Sequence, residues 1–178
     1  MIRSFARFLK SKAGVVSVEF ALITPIFIFF MLGSLGTFDH YRAKRRSVLA
    51  VDTAADLVAR TIQMNDAERD LIFAAAASMM DRYADANTLS IGIHSVAEDA
   101  NGDIIVQWSE GSDSTKTRAV GSKVTSVSFP EIPGGETAIL AELSFKYRSP
   151  IMYFVNADVE FQQFSIRRPR YTAVIAYP

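Results

Sequence analysis

Hydrophobic and polar positions follow three rhythms along this chain. From Phe20 to Phe38 there are 19 residues without a formal charge, dominated by Ile, Phe, Leu and Met. As a helix they extend about 29 Å at 1.5 Å per residue, close to one hydrocarbon core. Residues 39–64 then carry apolar positions three and four apart, at Val48, Val51, Ala55, Val58 and Ile62, which predicts one buried helix face. Asp52, Asp56 and Arg60 fall on another face, where Asp56 and Arg60 have the spacing of a surface ion pair and the expectation is a solvated side. A second helix is expected from Asn65, because Asn65 and Glu68 have the spacing of a capping box. Its apolar stripe runs through Leu71, Ile72, Ala75 and Met79, and its end is expected near Ala86–Asn87. The alternative to a break at 63–66 is a kink in one long helix.

After residue 87 the period shortens to two. Two β-rich runs flank Asn101-Gly102, the strongest short hairpin signal in the chain. Residues 110–118 are polar and read as an exposed loop. "KVTSVSFP" reads as a short strand or extended segment, and "EIPGGE" as a turn. In "TAILAELSFKYRS", Ala138, Leu140, Glu142, Ser144 and Lys146 alternate with Ile139, Ala141, Leu143, Phe145 and Tyr147. "ADVEFQQFSIRR" and "PRYTAVIAY" supply two more strands. The expected fold is α+β: a long N-terminal transmembrane helix continuing into a helical stalk, then four or five mainly antiparallel strands packed against helices. In segments this is a basic leader at 1–14, a span at 15–38, helices at 39–87 and a β-rich domain at 88–178.

The span reads as retained, because a cleaved secretory signal would have a shorter apolar core followed by a small-residue site, whereas here "DHYRAKRRS" follows. Arg3, Arg7, Lys10 and Lys12 precede it, and Arg42, Lys44, Arg45 and Arg46 follow it, so the positive-inside rule gives a near tie. The short stub is the easier end to keep in the cytoplasm, which places residues 47–178 outside. Pro25 removes a helical N–H and strips the Ala21 carbonyl of its donor, a defect that neighbours or a Thr side chain relieve in membrane helices. Gly33, Ser34, Gly36 and Thr37 form a small-residue patch, with Gly33 and Thr37 one turn apart as in a helix-packing face.

Charge and composition narrow the classes. The net charge is zero, but the four basic residues of 1–14 leave 15 basic against 19 acidic residues in the rest. That mildly acidic body argues against a nucleic-acid partner. Without cysteine, disulfides, thiolate metal sites and cysteine nucleophiles are excluded. His40 and His94 have no histidine nearby, Asp99-x-Asn101-x-Asp103 lacks the rest of a calcium loop, and no phosphate loop or nucleophile elbow occurs. No metal, cofactor, small-molecule substrate or catalytic residue is expected. Trp108, Tyr147, Tyr153, Phe154 and Phe161, with the apolar run 149–155, read as core or as a subunit contact, and "RRPR" at 167–170 as a solvated loop.

Glu19 then stands out, since a carboxylate in an apolar span needs a partner. It is the fifth residue after Gly14, which ends the basic stub, and Phe20 follows it. Basic leader, Gly, four mostly apolar residues, Glu, aromatic and apolar helix together resemble the processing site of type IV pilins and pseudopilins. The stretch from Gly14 through Val18-Glu19-Phe20-Ala21-Leu22 and Pro25 into the following helix is most similar to the TadE/TadF group of pseudopilins, which belong to tight-adherence (Flp, type IVc) pilus systems. The resemblance covers about residues 10–61. It implies cleavage between Gly14 and Val15 by a membrane prepilin peptidase, and pairing of the Glu19 carboxylate with a new N-terminal amine, usually on a neighbouring subunit. It further implies a bacterial inner-membrane location with a periplasmic C-terminal domain, and as partners other pilins, pseudopilins and inner-membrane assembly proteins. Whether the chain enters an extracellular filament stays open. The alternative is a single-pass membrane protein whose outer domain binds a ligand or partner unrelated to pili.

Overall fold

The computed structural model describes residues 13–84, 88–147 and 159–177. Helix α1 runs Ala13–Ala59 and helix α2 Asp66–Met80; strands β1 (Leu89–Glu98), β2 (Ile104–Gly111), β3 (Ala138–Tyr147) and β4 (Val159–Arg167) follow. The fold is α+β, as expected. The chain divides into two compact units between Asp39 and His40. The leader up to residue 12, the expected helix end at 86–87 and the apolar run 149–155 lie outside the described residues.

In the first unit the helix continues unbroken through Pro25. Its apolar side chains stay uncovered on every side, Phe20, Phe27 and Phe30 all being more than two-thirds exposed. This is the one helix among the described residues long and apolar enough to cross a membrane. The Thr24 hydroxyl donates to the Phe20 carbonyl at 2.6 Å, one carbonyl before the one that Pro25 strips. Of the two forms of relief, neighbours or a Thr side chain, Thr24 therefore does not supply the second to the Ala21 carbonyl.

The second unit packs the rest of α1 and all of α2 on one face of a four-stranded antiparallel sheet of order β2-β1-β3-β4. The buried face of α1 is Ala43, Ser47, Ala50, Val51, Ala54, Ala55 and Val58. The expected stripe was wrong at its ends: Val48 is 39% exposed, and Ile62, at 68%, lies beyond the helix. Small side chains let a helix backbone come close to a sheet, so alanines form this contact and the larger Val48 and Leu49 turn outward. On α2 the buried positions are Ile72, Ala76 and Met80, while Leu71 is exposed, so its stripe too is rotated from the expected one. The break between the helices is real. Met64 there is fully buried, and its N–H donates to the Ala176 carbonyl at 2.9 Å. Asn65 caps α2 as expected, its Oδ1 accepting from the Glu68 N–H at 2.9 Å.

The central strands β1 and β3 are buried on both faces. Towards the helices point Leu89, Ile91, Ile93, Ile139, Ala141, Leu143, Phe145 and Tyr147. Val96, Ala138 and Leu140 belong to a second, smaller cluster with Val106, Val124 and Ile132. A β-bulge links the two. Ser95 pairs with Trp108 and Val96 with Val106, leaving Gln107 as the extra residue on β2. An extra residue shifts the two-residue period by one, so Trp108 joins the helix-side core and Val106 the other cluster. The hairpin turn forms at the expected place, with Gly102 at φ +80° and the Asp99 carboxylate accepting from the N–H groups of Asn101 and Asp103 at 2.8 Å. The aspartates of the calcium-like spacing are thus used inside the turn and on Lys123.

"PRYTAVIAY" is not a fifth strand. Its backbone groups go elsewhere: Arg170 N–H to the Ala59 carbonyl, the Ala173 carbonyl to Thr137 N–H, the Ala176 carbonyl to Met64 N–H, and the Ile175 carbonyl to the Trp108 indole at 2.7 Å. It is a strap that closes the end of the helix-side core, with Ile175 fully buried. The segment 121–124 lies extended along the outer edge of β2, joined by Val106 N–H to the Ser122 carbonyl and Val124 N–H to the Ile104 carbonyl.

Candidate functional site

Two places carry chemistry. The first is the front of α1. The helix begins at Ala13, so the Gly14–Val15 peptide lies in its first turn. Val15 and Glu19 are four positions, about one turn, apart along the helix. Glu19 is exposed between exposed Val18 and Phe20, and no ion pair or hydrogen bond of its carboxylate forms among the described residues. Further along, the Thr37 hydroxyl turns back to the Gly33 carbonyl at 2.9 Å, and a Cβ added at Gly33 would meet nothing within 4 Å. Gly33 and Thr37 are exposed and Gly36 is half-buried. The small-residue patch is therefore a free surface of the helix.

The second place was not legible as a site in the sequence. On the sheet face away from the helices, Gly92 of β1 stands directly opposite both Gly111 of β2 and Glu142 of β3. Three positions in a row across the sheet thus hold two residues without side chains. Loop 112–118 folds down into that gap. A Cβ at Gly111 would lie 2.7 Å from the Asp113 carbonyl oxygen and 2.8 Å from the Lys116 carbonyl carbon, and one at Gly92 would lie 2.8 Å from the Lys116 carbonyl oxygen. Asp113 fastens the loop. It accepts from the Ser90 hydroxyl at 2.5 Å and from the Thr115 N–H at 2.8 Å, and these bonds hold its carboxyl below the usual range.

The loop delivers Arg118 to Glu142, with Nη2 donating to Oε1 at 2.6 Å. The other carboxylate oxygen faces Nε2 of His94 at 3.8 Å, too far for a hydrogen bond. His94 is completely buried, and its Nδ1 lies 2.8 Å from the Ser109 hydroxyl, which also accepts from the Arg118 N–H at 2.7 Å. A hydroxyl that already accepts that bond donates to Nδ1 most economically, which puts the ring proton on Nε2, towards Glu142. Burial alone would push the Glu142 carboxyl up, but the His94 ring and the Arg118 guanidinium outweigh it and hold it at about 2. Ser109, His94 and Glu142 follow the order hydroxyl, imidazole, carboxylate. The imidazole is completely buried, however, and so does not meet a ligand.

Above this cluster is a pocket of about 490 Å³ lined by Lys116, Arg118, Ser126, Glu142, Gln162 and Phe164, among others. Its lining carries two cations, Lys116 and Arg118, and one carboxylate, Glu142, which is already paired with Arg118.

Other expectations changed on folding. His40 packs its ring against Tyr147 and Phe161 at 5.4 and 4.7 Å between centroids. Trp108, Tyr147 and Phe161 are core, while Tyr153 and Phe154 lie outside the described residues. Asp56 pairs with Arg60 at 2.6 Å as expected, but this face of α1 is more than solvated: Asp52 binds Arg167 at 3.0 Å and the Ser165 hydroxyl at 2.6 Å, and Asp56 also binds Arg170. The basic run at 167–170 thus pins α1 to β4 and the strap instead of lying loose. Among the described residues no group of three or more His, Cys, Asp or Glu is placed to hold a metal ion. Comparison with protein-family models, with curated proteins and with solved structures yields no match to this chain.

Proposed function

We propose that this chain is a non-enzymatic, membrane-anchored pseudopilin-like component of a tight-adherence pilus assembly machine. The observation that carries the reading is Glu19: an exposed carboxylate at the front of an uncovered apolar helix, the fifth residue after Gly14. In this reading α1 spans the bacterial inner membrane with the stub in the cytoplasm and the folded unit in the periplasm. A prepilin peptidase removes residues 1–14. The Val15 amine so created pairs with Glu19 of a neighbouring pilin or pseudopilin, and Gly33, Gly36 and Thr37 form the helix contact. Each partner offsets the cost of burying the other, so pairing favours stacked subunits.

Co-expression with a prepilin peptidase tests it. The mature chain should begin at Val15, and Gly14→Val should block that product. Glu19→Gln should leave insertion intact and reduce recovery of the chain with its partner subunits. A chain that keeps residue 14 beside an active peptidase removes the processing step, and undiminished assembly of Glu19→Gln removes the pairing.

The pocket over Glu142 favours a second reading, in which the folded unit binds an anionic group on a ligand or partner. Titrating the detergent-solubilised chain with acetate and with inorganic phosphate tests this. Binding that weakens in Lys116→Gln supports it, and a flat calorimetric trace with both anions removes it.

A further inference from the structure

Immediately beyond the apolar run, α1 carries Arg42, Lys44, Arg45 and Arg46, all exposed. Successive helix positions are about 100° apart, so these four spread over three sides of the helix. The fourth side, Ala43, Ser47 and Ala50, is buried against the sheet. The cations thus form a collar interrupted only where the helix meets its own core. Arg46 reaches the Met79 carbonyl at 3.5 Å, and none of the four has a carboxylate partner among the described residues. Exposed Tyr41 sits at the edge of the collar, as aromatic residues do at membrane interfaces.

We propose that this collar binds the phosphate groups of anionic phospholipids in the leaflet that faces the folded unit. The inference rests on α1 being a membrane span, but on neither its orientation nor any link to pili. Two arguments fix the occupant. Arg42 to Arg46 lie four to eight residues past Phe38, about 6–12 Å further along the helix, the depth of a headgroup layer. Their charge is unbalanced locally, since Asp39 is the one acid between Phe38 and Leu49. Arginine and lysine at that depth attract anionic headgroups, the arginines with paired N–H donors that match phosphate oxygens.

The test uses the full chain in liposomes of equal phosphatidylglycerol and phosphatidylcholine. Resistance to carbonate extraction reports the span. Mild detergent extraction followed by native mass spectrometry then reports which lipids stay bound. Wild type should retain the anionic lipid over the zwitterionic one by on the order of ten-fold. The fourfold variant Arg42→Gln, Lys44→Gln, Arg45→Gln, Arg46→Gln should insert equally and show no preference. Arg60→Gln, just past the end of α1 and about 20 Å beyond Arg46, should behave as wild type. Emission of the buried Trp108 reports whether each variant is folded, and a charge-keeping set with lysine at 42, 45 and 46 should restore the preference if the glutamine set is misfolded. Inserted wild type with no anionic preference, or a folded fourfold variant that keeps it, overturns the collar alone. Wild type washed off by carbonate overturns the span and the collar with it.

Discussion

Replacing Glu142 by Gln isolates the charge at the centre of the sheet's outer pocket, because the amide keeps the shape and still accepts from Arg118. The Glu142 carboxyl stands at about 2 in the folded protein against an ordinary value of 4.5. A depressed acid adds stability that is fully present above its unfolded value and is lost as pH falls through its folded value. Here that window runs from about pH 4.5 down to about pH 2. The shift corresponds to about 3 kcal/mol at neutral pH, and nearer 2 once solvent screening at the partly open carboxylate is allowed for. Trp108 is the chain's single tryptophan and is buried against Ile175, so its emission follows unfolding of this unit. Urea titrations of the detergent-solubilised chain should find Glu142→Gln less stable than wild type by about 2 kcal/mol at pH 7, a gap that closes to a few tenths near pH 2. Subtracting the variant from wild type cancels the other carboxylates, including Asp113 and Asp99, which are also held low. A gap of the same size at pH 7 and pH 2 would refute the argument, since it would mean that the substitution acts through packing and not through charge.

Gly111→Ala should cost about 1–3 kcal/mol and raise hydrogen exchange across 113–118, because its Cβ would press on backbone atoms of Asp113 and Lys116 that have no rotamer to change. Met64→Ala empties a fully buried position between the helices and the strap, and should lower stability by about 2–5 kcal/mol in the same titration. Asn65→Ala removes the acceptor that caps α2 and should cost about 1 kcal/mol, whereas Asn65→Asp should be close to neutral by circular dichroism melting.

What the sequence determined by itself is whatever a short window of residues encodes. The charge-free run from 20 to 38, the period-two alternation of β3, the Asn65 cap and the Asn101-Gly102 turn all follow from neighbours within a few positions, and each stands in the structure at its expected place. Tertiary structure decided the rest, because those choices depend on what arrives from elsewhere in the chain. Alanine carries little hydropathy, so only the approach of the sheet selects Ala43, Ala50 and Ala54 over Val48 as the buried face of α1. One bulge at Gln107 sends Trp108 and Val106 to opposite sides of the sheet, which alternation alone would have kept together. The last segment has a strand-like composition, but its hydrogen-bond partners sit at the end of α1 and before α2, and so it became a strap. His94, Arg118 and Glu142 come from three separate segments. They meet because β1 lies beside β3 in the register that sets Gly92 against Glu142, and because the missing side chains at Gly92 and Gly111 let a loop descend between them.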